Sequence, residues 1–500
     1  MSKKVFYKSL DYLIIFALSL WPTLHFISFN IADNFIHSRV IYFGIFCGFL
    51  FCLKYFFLTY LFKKKDLILS VLISFIFSFF LFGSIEKFVI DTRGYIEHSA
   101  KISLSIQFFL FLILSFVLFK ITQSNKKNHL LLIFTIFLLI VPIGKIILLY
   151  PKSNNVRNLQ ESFYDNTNFK NNNNLYYIIL DEYAREDILK EVFGIDNTNF
   201  IKTLQEMGFN YFPNSYSNYD VTQYSISTTL NMDFHKNNLI WDTDVSVNDS
   251  KTLKILKKNG YKNIFIESGG VSFITCNGLE DYCIKGGTIR DDLAILIQMT
   301  PLWRLMRSST FHRYFEALYI LTDLKQSMEQ TLEIMKNDKS KFFVFAHILS
   351  PHDPQRYNSD CSKYFSINPS LGKGTKAQYI NDLPCLNRDV ISSVKSLIKN
   401  DKSDPIIIIS SDHGISGSMV GSDDEIIRLK NLMLIKNPTK CNKYLSKRIS
   451  PINLMSFSIS CLQDKKIPFV EDKHYIWNVN PKGLIEVSSK VEKERQENDF

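Results

Sequence analysis

The chain has 500 residues, 46% of them hydrophobic and 14% aromatic, with a formal charge of +10. That length exceeds one ordinary core, and the two ends of the chain differ sharply in composition, so more than one domain is expected. The charge does not mark a nucleic-acid binder: much of the excess lies in short lysine clusters between apolar runs, and no basic stripe interleaved with aromatics follows them.

Up to about residue 150 the chain is built from long runs of Phe, Leu and Ile. Five membrane helices are predicted, over about 10–30, 40–61, 67–85, 103–122 and 129–149. Each is close to the roughly 20 residues that cross a bilayer core. Lys3-Lys4 precede the first, Lys63-Lys64-Lys65 follow the second and Lys126-Lys127 follow the fourth, whereas the loops 31–39 and 86–102 carry mixed charge. The positive-inside bias puts the N-terminus and the lysine loops in the cytoplasm. An odd number of crossings then delivers everything after residue 150 to the periplasmic or extracellular side of the cytoplasmic (inner) membrane. No cleavable signal peptide is evident, and the first helix reads as an uncleaved anchor.

The second part is expected to hold a polar, Asn-rich juxtamembrane linker over 151–174, with a short amphipathic helix around 156–164, then a catalytic domain over 175–480 and a charged, solvated, disordered tail over 481–500. Strands are predicted at 175–180, 209–213, 262–267, 342–349 and 405–411, with helices at about 196–207, 250–258, 315–336 and 386–399. Strands alternating with helices argue for an α/β domain around a largely parallel central sheet. Cys47 and Cys52 sit in a membrane helix as small apolar residues, but Cys276, Cys283, Cys361, Cys385, Cys441 and Cys461 all follow it. Six cysteines outside the membrane predict disulfides, and we expect neighbours in sequence to pair: 276 with 283, 361 with 385, 441 with 461.

Three predicted strands end in reactive residues. Leu175–Leu180 runs into Asp181 and Glu182, Phe342–Leu349 carries His347 and leads to His352, and Ile406–Ser411 stops at Asp412-His413-Gly414. The carboxyl ends of parallel strands are where α/β proteins bind ligands. Carboxylates and an imidazole there suit a divalent metal ion, Zn, Mn, Mg or Ca. Taken singly, each stretch also reads as an acidic first helical turn, a core histidine or an ordinary polar loop. Between them lies the hydroxyl-rich stretch Ser217–Met232, where composition alone does not choose a nucleophile.

Asp181-Glu182 with Arg185 and Asp187 resembles the opening metal motif of the alkaline phosphatase/sulfatase superfamily. The segment Asn218-Tyr219 to Thr222, Ser225, Thr228 and Leu230-Asn231-Met232 is similar to the nucleophile region of that superfamily's membrane-anchored, sulfatase-like branch. His347 with Pro351-His352, then Ser411-Asp412-His413-Gly414, then Pro451-Ile452-Asn453 follow in the family's order. With five preceding helices, the likeness is to phosphoethanolamine transferases that modify lipopolysaccharide and to lipoteichoic acid synthases. The resemblance implies an α-helical multi-pass membrane domain followed by a sulfatase-like α/β domain. It implies Thr222 as nucleophile and metal ligand, Asp412 and His413 as further ligands, Asp181 or Glu182 completing the site, and His352 and His347 meeting the anionic substrate. Five helices are excessive for mere tethering, so a membrane phospholipid donor is expected, with a surface glycan or lipid-linked acceptor. The Cys/Ser-x-Pro-x-Arg nucleophile motif of true sulfatases is absent from the chain. Two other readings follow the same residues: a membrane-anchored phosphoesterase or sulfuric-ester-type hydrolase, and a catalytically inactive partner in envelope assembly.

Overall fold

The computed structural model describes residues 3–30, 38–93, 99–124, 127–153, 167–235, 250–267, 274, 276, 280–285, 296–297, 299–302, 323–352, 357–362, 376–416, 424–479 and 482–498. The chain divides into two units, Met1–Val156 with Ile289–Phe315, and Arg157–Thr288 with Glu316–Phe500.

The first unit is helical: α1 Lys3–Asn30, α2 Ser38–Phe62, α3 Lys65–Phe80, α4 Phe82–Arg93, α5 Ser99–Thr122 and α6 Lys127–Ser153. Four stretches are long and apolar enough to cross a membrane: Leu10–Ser28, Val40–Phe62, Ile102–Thr122 and His129–Leu148. The expected span 67–85 is the exception, because it breaks at Leu81 into α3 and α4. The sixteen residues of α3 rise about 24 Å, short of the roughly 30 Å hydrocarbon layer. Beyond the break, Glu86 and Lys87 end the apolar run, so α4 is far less apolar than α3. Packing assigns α3 to the interior: Leu69, Leu72, Ile73 and Ile76 pack with Ile14, Ile15, Leu18 and Tyr55. By contrast α2, α5 and α6 leave Phe49, Phe57, Phe109, Phe116, Ile133 and Phe137 exposed. Apolar side chains exposed in such number belong against lipid.

Hydrogen bonds orient these helices. Tyr55 Oη donates to Asp11 Oδ2 at 3.0 Å, so the end of α2 meets the start of α1. Thr122 Oγ1 donates to Asp66 O at 3.3 Å and Gln107 Nε2 to Ser78 O at 2.8 Å, so α5 runs against α3. At the far end Leu296 packs with Phe26, Ile27 and Val40, with Ile146 against them. There Gly83 N donates to Met299 O at 3.0 Å.

The second unit is built on a seven-stranded sheet: β1 Leu175–Leu180, β2 Phe209–Tyr211, β3 Tyr261–Ile266, β4 Tyr282–Ile284, β5 Lys341–Ile348, β6 Ile406–Ser410 and β7 Met433–Lys436. Their order is β2-β7-β6-β1-β5-β3-β4, with only β7 running against its neighbours. Alternation along β1 explains its wholly apolar sequence. Tyr176, Ile178 and Leu180 enter one core, and Leu175, Tyr177 and Ile179 enter the other. The isoleucines of β6 divide in the same way, 407 and 409 from 406 and 408. A strand buried on both faces has no polar face to show.

All five predicted strands form, and sequence reading missed the short β4, β7 and a hairpin of β8 Tyr475–Val479 with β9 Lys482–Glu486. The predicted helices form over Thr198–Glu206 (α8, after α7 Glu186–Phe193), Lys251–Lys258 (α10, after α9 Thr222–Asn231), Leu324–Asn337 and Lys376–Asn400. The proposed amphipathic helix at 156–164 lies outside the described residues, as does 315–322. The three disulfides join Cys276 to Cys283, Cys361 to Cys385 and Cys441 to Cys461, as neighbour pairing predicts.

Two polar stretches depart from expectation. The end of the asparagine run is built into the sheet: Asn174 Nδ2 donates to Asp401 Oδ2 at 2.9 Å and its Oδ1 accepts from Phe342 N at 2.7 Å. Asn173 Nδ2 donates to the carbonyls of Ser403 and Asp404. Nor is the charged C-terminal stretch a disordered tail: Ser488–Asn498 is a helix. Val487 and Val491 pack against Tyr216, Ile426 and Leu429. Its charges are partnered, Arg495 with Asp472 at 2.9 Å and Glu494 with Lys430 at 2.8 Å.

Candidate active site

Parallel pairing of β5, β1 and β6 sets Ile179 beside both His347 and Ser410, so the three chemically rich strand ends emerge together. Asp181 follows β1 directly, its N–H donating to Ile348 O at 2.9 Å. Glu182 then turns into the left-handed region at φ 62. For a glutamate this is a strained conformation, and its surroundings hold it. Its N–H donates to Asp412 Oδ1 at 3.1 Å, its carbonyl accepts from Tyr379 Oη at 3.1 Å, and its Oε1 accepts from Ser416 N at 3.0 Å. Asp181 and Glu182 therefore point to different partners.

Asp181, Asp412 and His413 each offer a ligand atom, and these atoms lie within 4.8 Å of one another. All three residues are buried, at 1–2% exposure. His413 Nε2 stands 3.3 Å from Asp412 Oδ2, 4.0 Å from Asp181 Oδ1 and 3.1 Å from Thr222 Oγ1. The other ring nitrogen, Nδ1, lies 2.9 Å from Gly414 O. A carbonyl oxygen only accepts, so this contact assigns the proton to Nδ1 and leaves the Nε2 lone pair facing the carboxylates. Asp181 Oδ1 and Asp412 Oδ2 are buried with no hydrogen-bond partner among the described residues. Two orphaned carboxylate oxygens beside an imidazole lone pair fit a divalent cation.

The electrostatics set Asp412 and His413 in their ligand forms, while Asp181 needs a neighbouring cation to ionise. Burial, then the charge of Asp412, push Asp181 well above the usual carboxylate range. Asp412 is itself buried, but His413, His347 and the Thr222 hydroxyl outweigh that and hold it below the usual range. Burial pushes His413 down to about 4, keeping the imidazole neutral. A neutral imidazole and an ionised carboxylate are the ligand forms of both groups.

Thr222 is the first residue of α9, where the unpaired N–H groups and the positive end of the helix dipole favour an anion. Two tethers hold α9 in place. Ser225 Oγ donates to Asp412 O at 2.6 Å. Asn218 Oδ1 accepts from Ile452 N at 2.9 Å, which ties the Pro451-Ile452-Asn453 segment to the loop before Thr222. His352 is at the mouth, its side chain 34% exposed and its Nε2 3.8 Å from Glu182 Oε2. His347 is wholly buried, 3.6 Å from Asp181 Oδ2, so it backs the carboxylate from inside the sheet.

Other members of the motifs are structural. Arg185 is buried, forks onto both oxygens of Asp187 at 2.8 and 2.7 Å, and lies 4.5 Å over the Tyr216 ring. Sequence reading missed Arg428, whose Nη2 is 3.4 Å from His413 Nε2. It comes fifteen residues after His413 in a stretch without a motif, and only folding brings it back.

Comparison with known proteins gives three kinds of result. A family model described as Sulfatase matches residues 173–461. A comparison with curated protein sequences finds no match. Among solved structures, the full-length lipooligosaccharide phosphoethanolamine transferase A from Neisseria meningitidis aligns at 13% identity, covering 90% of this chain and 95% of that one, with a TM-score of 0.42. The C-terminal periplasmic domain of the Escherichia coli protein EptC aligns at 13% identity over 63% of this chain and 92% of its own, TM-score 0.42. The lipoteichoic acid synthase LtaP from Listeria monocytogenes aligns at 14% identity over 65% and 82%, TM-score 0.43. The family match spans more than half of the 500 residues and contains Asp181, Thr222, Asp412 and His413: the chain belongs to the sulfatase family of enzymes.

Proposed function

We propose that this membrane-bound enzyme transfers a phospho-substituent, of phosphoethanolamine or phosphoglycerol type, from a phospholipid to a cell-envelope glycan or lipid-linked acceptor through a covalent intermediate on Thr222. The observation that carries the reading is the placement of Thr222 Oγ1, 3.1 Å from His413 Nε2, against the Asp181–Asp412–His413 cluster at a helix N-terminus. A divalent cation held by Asp181, Asp412, His413 and Thr222, with Glu182 beside them, would favour the alkoxide of Thr222 and neutralise charge on the phosphoryl oxygens.

The chain's own residues supply the remainder. Thr222 Oγ1 forms a bond to phosphorus as the bond to the lipid's glycerol oxygen breaks, and the hydroxyl proton passes to that leaving oxygen. The acceptor hydroxyl then attacks the same phosphorus, and Thr222 Oγ1 leaves and takes a proton back. The N–H groups at the start of α9 stabilise the charge that develops on the phosphoryl group. His352, open to solvent at the mouth, meets the anionic substrate.

A lipid donor requires the catalytic unit on one defined side of the bilayer, and the helical unit supports the outer side. Lys63, Lys64 and Lys65 lie at the end where α2 stops and α3 starts. From there α3 runs to Phe80, and just beyond it, at the opposite end, Gly83 N donates to Met299 O where Phe26, Val40, Ile146 and Leu296 gather. We count α3 as a fifth crossing because, although short, it runs from one end of the helical bundle to the other. With the lysine end cytoplasmic, the chain leaves α6 on the outer side.

The test is mass spectrometry of Thr222 after incubation of the purified protein with labelled phosphatidylethanolamine or phosphatidylglycerol. A headgroup-phosphate adduct on Thr222, chased onto a glycan acceptor, is the expected result. Label recovered only in water-soluble hydrolysis products would replace the transferase with a hydrolase. No adduct and no turnover of any phosphate or sulfate ester would leave only the inactive assembly partner.

A further inference from the structure

Nucleophile, carboxylates and imidazole occupy one side of the site, while the non-bridging oxygens of a phosphoryl group need donors of their own. Cations near the site are mostly spoken for. Lys430 is paired with Asp424 at 2.9 Å and Glu494 at 2.8 Å, and Arg185 is forked onto Asp187. Arg428 is the exception. Its Nε is buried without a hydrogen-bond partner, and among the described residues no carboxylate forms an ion pair with it. Among the described residues its polar side-chain contact is Nη2 to His413 Nε2, at 3.4 Å. That nitrogen carries the lone pair that faces the carboxylates, so with a cation in place it is no acceptor for Arg428. A guanidinium whose Nε is buried without an acceptor is costly to maintain.

Its backbone is fixed, which argues against a side chain that merely drifted there. Arg428 lies in the single 3-10 turn Ile427–Leu429, between two buried apolar residues. Gly414 N donates to Arg428 O at 2.6 Å, locking that turn to the loop that carries His413. The positive field of the guanidinium reaches Asp181, Glu182 and Asp220 at different points around the site.

We propose that Arg428 is a substrate-binding residue that grips two non-bridging oxygens of the tetrahedral oxyanion as it meets Thr222. This rests on the reading of Thr222 as the nucleophile. A planar fork matches paired oxygens in a way that a lysine point charge does not. The nitrogen that Arg428 approaches is also the one nearest Thr222 Oγ1, so the anion it holds sits where the nucleophile attacks.

Calorimetric titration of the full-length, metal-loaded protein with inorganic phosphate, and separately with inorganic sulfate, tests this without requiring turnover. Arg428→Gln is expected to weaken phosphate binding about 10- to 100-fold, with metal content and melting temperature unchanged. Arg428→Lys is expected to recover part of that loss. Phosphate affinity within about twofold of the parent in Arg428→Gln overturns the proposal, as does a parent that binds neither anion. Metal lost in step with phosphate in both variants also overturns it, because Arg428 would then act only through His413. If sulfate binds the parent more tightly than phosphate and both weaken in Arg428→Gln, Arg428 stands as the oxyanion site and the phospho-transfer reading falls.

Discussion

Replacing Gly414 by alanine adds one methyl group where the loop after β6 touches the turn that carries Arg428. The new Cβ would lie 2.4 Å from Lys430 O and 2.9 Å from Ile427 O, both backbone atoms. Ordinary contact begins at 3.4 Å, so the overlap with Lys430 O is 1.0 Å. No side chain can swing aside to relieve it. Either the His413 loop or the 427–430 turn must shift by about an ångström, and the 2.6 Å bond from Gly414 N to Arg428 O is lost in the process. Overpacking of this kind costs about 1–3 kcal/mol, and the lost hydrogen bond adds about 1 kcal/mol. The larger effect falls on chemistry, since a displacement of about 1 Å in a reacting group lowers turnover roughly 100-fold. The expected outcome for Gly414→Ala is therefore a folded protein with weakened metal retention and turnover of a phosphodiester substrate reduced about 100-fold. Gly194→Ala is the control. Gly194 has φ 69 with nothing within 4 Å of a Cβ, so alanine there strains only the backbone, by about 1–2 kcal/mol, and leaves turnover intact. If Gly414→Ala keeps metal content and turnover within about threefold of the parent, the loop and the turn do not hold the site as argued.

Three further outcomes are expected. Burial pushes Asp472 up, but the hydrogen bond from His474 and the charge of Arg495 outweigh it and hold the carboxyl at about 2, against 3.8 unperturbed. A depressed carboxylate stabilises the fold above its unfolded pKa, so this pairing contributes about 2 kcal/mol above pH ~4 and loses it as pH falls through about 2. Denaturant titrations should show Asp472→Asn less stable at neutral pH and equal to the parent near pH 2; a gap that is the same at both pH values refutes the assignment. Truncation after Val487 removes Val491, and with Arg495 and Glu494 one partner each of Asp472 and Lys430. It should cost about 3 kcal/mol, read as a lower melting temperature, whereas a solvated tail could be cut without effect. The double variant Cys361→Ser, Cys385→Ser opens a loop of sequence separation 24 and should lose about 3 kcal/mol. Because Cys385 shares its helix with Tyr379, whose hydroxyl accepts from Ala184 N and donates to Glu182 O, its turnover should fall as well. Unchanged turnover at reduced stability would separate the disulfide from the site.

What could be read from the chain before folding was the chemistry that strands concentrate at their own ends. A strand buried on both faces must be apolar throughout, so the first acid after Leu180 and the Asp-His pair after Ser410 stand out against the runs they end. Contacts that return from elsewhere leave no such contrast. Arg428 and the helix Ser488–Asn498 look like ordinary surface charge in sequence, and become meaningful only when His413, Tyr216 and Asp472 are placed beside them. The asparagine run misleads for the same reason. Polar residues read as linker until it is known which backbone groups need them, and Asn174 satisfies Phe342 N and Asp401 together.

The membrane half shows the opposite error, a rule of length applied where packing decides. Hydropathy over a fixed window asks each helix to span the bilayer alone. α3 is short but packs against α1, α2 and α5, and most of its residues are buried. A helix sheathed by others can be short without exposing its ends to hydrocarbon. The lysine clusters are a separate signal, because they lie between the apolar runs, where interior packing does not alter what they report. The proposed outer side of Asp181, Thr222 and Asp412 therefore rests on loop charge, and apolar length alone does not carry it.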